Sequence, residues 1–244
     1  MGSAQPANDS SFWLARLVLP GRFGKPLTAV LVFAVVWFLT SVLPGNIGTY
    51  TRIFFAAICA YIVPVFAYIS ETTLAAFNEV IPELDAIEKE RETWRRWLSG
   101  NSMTWLIVVN TSAVLAAQGH MALLAWSEDS NLLDFYFVQQ QYAPAVGALL
   151  VWIAMSNAIS TLMGSAVILS RVSRSLKLDL LRPGPANALA QVAVVSTLSI
   201  VGAQALFIFL ALDTGTEVLT ILPGFISTTV PLLFLFLVPV WPLH

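Results

Sequence analysis

The sequence predicts an all-α integral membrane protein, with six transmembrane helices paired as three hairpins and a cytoplasmic helical hairpin between spans two and three. Three observations predict it. Of the 244 residues, 57% are hydrophobic and 11% charged, too little charge to cover a globular surface of that size, and the mean hydropathy is +0.78. The apolar residues fall into six runs, Leu27 to Leu43, Ile53 to Ile69, Met103 to Trp126, Ala143 to Ser170, Ala186 to Leu212 and Val218 to Trp241, each close to the about 20 helical residues that cross a bilayer core. With six spans, eleven of the twelve Lys and Arg fall on one side, leaving Arg52 alone on the other. The positive-inside rule makes that side cytoplasmic, both termini included, and a bacterial inner membrane is the expected location.

Residues 1–26 form an N-terminal arm. Its polar tip is expected to be disordered, and Phe12 to Val18, with Trp13 and Arg16, is expected to lie along the membrane interface. Spans one and two occupy 27–69. The first apolar run is long for a signal peptide and reads as a retained anchor. Pro44-Gly45-Asn46 makes the outer turn, Arg52 snorkels to the outer surface, and Pro64 is expected to kink span two. The lone cysteine, Cys59, lies within that span, so no internal disulfide can form, and it reads as a small apolar filler.

Residues 70–102 hold seven of the fourteen acidic residues and four basic ones. A straight continuation of span two to Leu98 would project about 43 Å, and the four residues before span three could not bring the chain back. The segment must fold back, and Pro82 is the place. Glu83 and Asp85 suit the positive end of the descending helix and Arg95 and Arg96 its negative end. Leu74, Phe77, Ile81, Leu84 and Ile87 recur at helical spacing and form an apolar seam, which either packs on itself or docks a partner helix or a second copy of the chain. Trp94, Arg95, Arg96 and Trp97 read as lipid-interface anchors.

Spans three and four occupy 103–170. The outer loop between them carries Glu128, Asp129 and Asp134 without a calcium-loop spacing, followed by Phe135, Tyr136 and Phe137, and reads as a solvated loop with an aromatic anchor. The basic loop 171–185 alternates charged and apolar residues, and Arg171, Arg174 and Lys177 suit contact with anionic lipid heads. Spans five and six occupy 186–241. The exit Leu237-Val238-Pro239-Val240-Trp241-Pro242-Leu243-His244 resembles the handover from polytopic bacterial sensor modules to a cytoplasmic coiled coil, and that resemblance implies signal transmission.

None of the six runs contains Asp, Glu, Lys or Arg, which argues against mechanisms that move charge through side chains in the membrane. With two histidines and no His/Cys/Glu cluster, no metal site of familiar spacing occurs. No cofactor motif, nucleophile arrangement or phosphate loop is recognisable either, so no cofactor, no enzyme activity and no nucleic-acid partner is expected. What the spans hold is uncharged amides, Asn110 and Gln118 in span three, Asn157 in span four, Gln191 and Gln204 in span five. An amide facing lipid is costly, so these should turn inward and place spans three to five at the bundle centre.

Two functions follow as expectations. The first is a non-enzymatic membrane module, a sensor, scaffold or signal-transmitting subunit, acting through the cytoplasmic hairpin and the C-terminal exit. The second is a facilitator or channel for a small uncharged or zwitterionic solute passing the five amides. The partners expected are membrane lipids and either a protein bound at the hairpin or a second copy.

Overall fold

A computed structural model describes residues 12–84, 88–100, 102–175, 184–213 and 222–230. The described chain is almost entirely helical, without a strand, and five of its helices are long and apolar enough to span a membrane. They are α2 (Gly24–Val42), α3 (Thr49–Val80), α5 (Met103–Ser127), α7 (Tyr142–Arg174) and α8 (Gly184–Ala205); the short helices α1 (Trp13–Arg16), α4 (Glu88–Ser99), α6 (Leu132–Phe137) and α9 (Ile208–Ala211) punctuate them. Residues 222–230 are helical as well. The rest of the expected sixth span, 218–241, and the exit at 237–244 lie outside the described residues.

The exposed faces of these helices are apolar. Val30, Val35 and Phe38 on α2, Ile107 and Leu115 on α5, and Leu198 on α8 all point outward. A belt of that extent would drive aggregation in water but suits hydrocarbon. Polar side chains within it satisfy themselves locally, as the exposed Ser41 does by donating to the Trp37 carbonyl at 2.7 Å.

The centre of the bundle differs from the expectation. In α3 67% of the most apolar window is buried and in α7 50%, against 22% for α8 and for the stretch containing α5. Spans two and four are therefore central, and spans three and five are peripheral. The reason lies in packing. On α3, small residues (Ala56, Cys59, Ala60, Ala67) alternate with Phe54, Phe55, Ile58 and Phe66, so every face can receive a neighbour. Two glycines on those neighbours make the approach close: a Cβ on Gly147 of α7 would strike the Phe55 ring, and one on Gly202 of α8 would strike the Tyr61 hydroxyl. Close backbone approach at small residues is how helices associate where lipid removes the hydrophobic drive. An amide does not compel burial, because it can bond its own helix, as Asn110 does by donating to the Leu106 carbonyl at 2.8 Å.

Long helices consecutive in the chain run antiparallel, so the two central helices α3 and α7 run parallel, both starting from the Pro44 end. At one end, Lys25 of α2 meets Glu71 of α3 at 2.5 Å; at the other, the Pro44 carbonyl accepts from the N–H groups of Tyr142 and Ala143. Gly45 sits in that second turn at φ +137°, with Pro144 and Gln141 around it, a conformation and a closeness that a side chain would not tolerate. The α3 N-terminus lies at the same end and is capped from a distance. Asp213, beyond α9, accepts from the N–H groups of Tyr50 (3.3 Å) and Thr51 (2.6 Å) and from the Thr51 hydroxyl. A carboxylate at the positive end of a helix dipole satisfies donors that the helix leaves free.

At the Lys25 end, α3 continues past the apolar run to Val80, makes a single 3₁₀ turn at Ile81–Glu83 containing Pro82, and returns as α4. The fold-back at Pro82 is as expected. Pro64 sits inside α3 without ending it. Ser102 then caps α5 by accepting from the Trp105 N–H at 3.2 Å.

Two segments depart from expectation. Phe12, Leu14, Ala15 and Val18 are buried in the largest apolar cluster rather than laid along the surface, and the Phe12 ring packs edge-on against Phe66 at 5.6 Å. The loop between α5 and α7 is partly ordered as α6, which Asn131 caps and whose Phe135 enters the same cluster. In both cases a few large apolar side chains outweigh a polar neighbourhood.

Candidate functional site: an amide node and a charged hairpin

The N-terminal segment ends its descent on a polar group. The indole Nε1 of Trp13 donates to Oδ1 of Asn157 at 3.0 Å, and Nδ2 of Asn157 donates to Oδ1 of Asn110 at 3.1 Å and to the Ile153 carbonyl at 2.8 Å. Asn157 is 2% exposed and lies midway along α7. Three elements, α1, α5 and α7, therefore meet at one side-chain amide. A buried amide is tolerated only with its donors and acceptors matched, and here its oxygen accepts one bond and its Nδ2 donates two.

The other amides do not join this node. The Gln118 Oε1 accepts from the Tyr136 hydroxyl at 2.9 Å, tying α5 to α6. Gln204 donates to the hydroxyls of Thr228 (3.3 Å) and Thr229 (3.0 Å), tying α8 to the helix at 222–230. Gln191 is exposed. Of the five residues expected to form one cluster, only Asn110 and Asn157 come together; Gln118 and Gln204 make separate ties, and Gln191 faces outward. Trp13 was missed because it lies outside every apolar run, although an indole beside an apolar stretch is a ready donor for such an amide. Two small cavities nearby, of about 40 and 70 Å³, have mainly apolar walls and include none of the five amides.

At the Lys25 end the hairpin has its own apolar core. Phe77 and Leu84 are buried together with Val80, Leu98 of α4, Leu169 and Val172 of α7, and Ala188 and Val192 of α8. Leu74, Ile81 and Trp94 are half-buried against it; Ile87 lies outside the described residues. The seam is thus covered by the chain's own α7 and α8. Polar bonds hold the arms in register, Arg95 donating to Oδ1 of Asn78 at 2.8 Å and Arg91 to the Leu84 carbonyl at 2.6 Å. What α4 presents outward is charge of both signs, with Glu88, Lys89, Glu90, Glu92 and Arg96 exposed. Among the expected interface anchors, Trp97, Arg171 and Arg174 are also exposed, while Lys177 lies outside the described residues.

Among the described residues, no group of three or more His, Cys, Asp and Glu could hold a metal ion. His120 accepts at Nδ1 from the Trp152 indole at 3.3 Å, the rings lying edge to face. The chain matches no family model, no curated protein and no solved structure.

Proposed function

We propose that the chain is a non-enzymatic membrane module that scaffolds or transmits across the bilayer, with the α3–α4 hairpin as its cytoplasmic output. One observation carries this reading. A single helix of 32 residues, α3, about 48 Å long, runs from the Asp213 cap through the most buried part of the bundle into the charged hairpin. A displacement at either end of so well packed a rod must be felt at the other, because packed interfaces shift as units rather than deform locally. The positive-inside asymmetry supports a cytoplasmic hairpin.

The partner surface in this reading is the charged outer face of α4. The apolar seam is already covered, so Leu84→Asp would unpack the hairpin along with any complex. Charge reversal on the outer face is the cleaner perturbation, since surface substitutions change folding stability little. Co-purification from native membranes with wild-type chain and with Glu88→Lys/Glu92→Lys is the test. The reading predicts that a stoichiometric partner is lost on reversal while insertion and helix content stay unchanged. Unchanged recovery of that partner would count against the hairpin as output. The solute-facilitator alternative has less support, because the amides meant to line its path pair off separately.

A further inference from the structure

A lateral groove of about 530 Å³ opens between α5, α7 and Ser227, within the size range of small-molecule sites. Its floor is one continuous stripe of α7, Trp152, Ser156, Ser160, Gly164 and Val167 among its members, spaced three and four apart, so it runs about 22 Å along the helix axis. Gly164 is the informative position. It is exposed in the middle of a long helix, and a Cβ there would meet nothing within 4 Å. A mid-helix glycine costs helix stability, and no neighbour among the described residues accounts for it; what it does is keep the groove open.

The same stripe leaves the groove at a pair of charges. Arg171 is four residues beyond Val167 and Arg174 three further, so both continue on the groove's face, about 6 and 10 Å past its end. Both are exposed, and neither forms an ion pair among the described residues. On the α5 side the mouth is flanked by Trp105, 40% exposed and within the first helical turn, where indoles favour the headgroup level.

We propose that this groove binds one anionic phospholipid, with an acyl chain along the α7 stripe and the phosphate held by Arg171 and Arg174. An apolar channel at bilayer depth that ends at two cations on the same helix face matches the two halves of such a molecule. A zwitterionic lipid brings a quaternary ammonium that opposes the two arginines beside its phosphate, and an apolar helix from another chain would make no use of them. The proposal is independent of the hairpin's role.

Native mass spectrometry of the full chain in detergent, titrated with phosphatidylglycerol or phosphatidylcholine, tests it. Each arginine near an anionic headgroup is worth roughly a five-fold change in affinity, so wild-type chain should retain one phosphatidylglycerol about 30-fold more tightly than phosphatidylcholine. Arg171→Gln/Arg174→Gln should abolish that preference, weakening phosphatidylglycerol far more than phosphatidylcholine, whose ammonium already opposes the arginines. Gly164→Leu, whose side chain enters open space, should weaken both lipids without loss of helix content. Equal retention of the two lipids by wild-type chain would overturn the proposal. So would wild-type binding by Gly164→Leu, or a preference for the anionic lipid that survives loss of both arginines.

Discussion

Replacing Asn157 with leucine isolates what the amide node contributes. Leucine is close to asparagine in size, so little cavity results and the loss is polar. The Trp13 indole N–H, now bonded at 3.0 Å, would face an apolar wall, which costs about 1–3 kcal/mol. The cross-helix bond to Asn110 at 3.1 Å adds about 0.6 kcal/mol, the average for such bonds in a membrane protein. That second loss loosens α5 against α7 and not α1, so the N-terminal segment loses about 2 kcal/mol of its docking free energy, the middle of the range for its own bond, and its undocked fraction rises about 30-fold. Thiol labelling reads this directly, because Ala15 is 2% exposed and the only native cysteine, Cys59, is buried. In an Ala15→Cys background, Asn157→Leu should raise the labelling rate about 30-fold, in proportion to the open population. Trp13→Phe, which removes the same donor from the other side, should raise it too, and the two changes should be non-additive. Equal labelling rates with and without Asn157→Leu, or full additivity with Trp13→Phe, would refute the node as the element that fixes α1.

Further outcomes follow from the packing. Gly147→Ala places a Cβ against the Phe55 ring and should destabilise by about 1–3 kcal/mol, as overpacking does, measurable by denaturation in mixed micelles. Asp213→Ala removes the carboxylate from the α3 N-terminus and should cost about 0.5–2 kcal/mol, the range for losing a helix cap; faster hydrogen exchange at Tyr50 and Thr51 would localise the loss. Gln191→Leu, an exposed amide on α8, should leave stability within about 0.5 kcal/mol of wild type, in contrast to Asn157→Leu. If the two amide substitutions proved equally costly in the same assay, the distinction between a buried node and a peripheral amide would fail.

The helices were legible in the sequence because the apolar runs are long and free of charge, and Met103 to Trp126 became α5 almost residue for residue. The hairpin's bend was legible too, since chain length left no other way back and Pro82 was at hand. Which helix lies at the centre was not. The amides suggested spans three to five, but an amide can satisfy itself on its own helix or with a surface neighbour, whereas the close approaches that centre α3 depend on Gly147 and Gly202 meeting particular rings. That pairing is a long-range fact with no local signature. The N-terminal segment was misplaced for a related reason. Seven residues around Trp13 have the composition of an interfacial stretch, and only the presence of Asn157 about 140 positions later gives the indole a reason to enter the bundle.

Hydrogen exchange of the full chain in lipid nanodiscs tests the central claim most directly, namely that the hairpin is a rigid extension of α3 and not a tethered appendage. With Phe77 and Val80 fully buried against α7 and α8, the backbone amides of residues 73–80 should exchange as slowly as those of residues 56–66 in the bundle core. Exchange of 73–80 on the timescale of a free helical hairpin, with 56–66 still protected, would contradict the account.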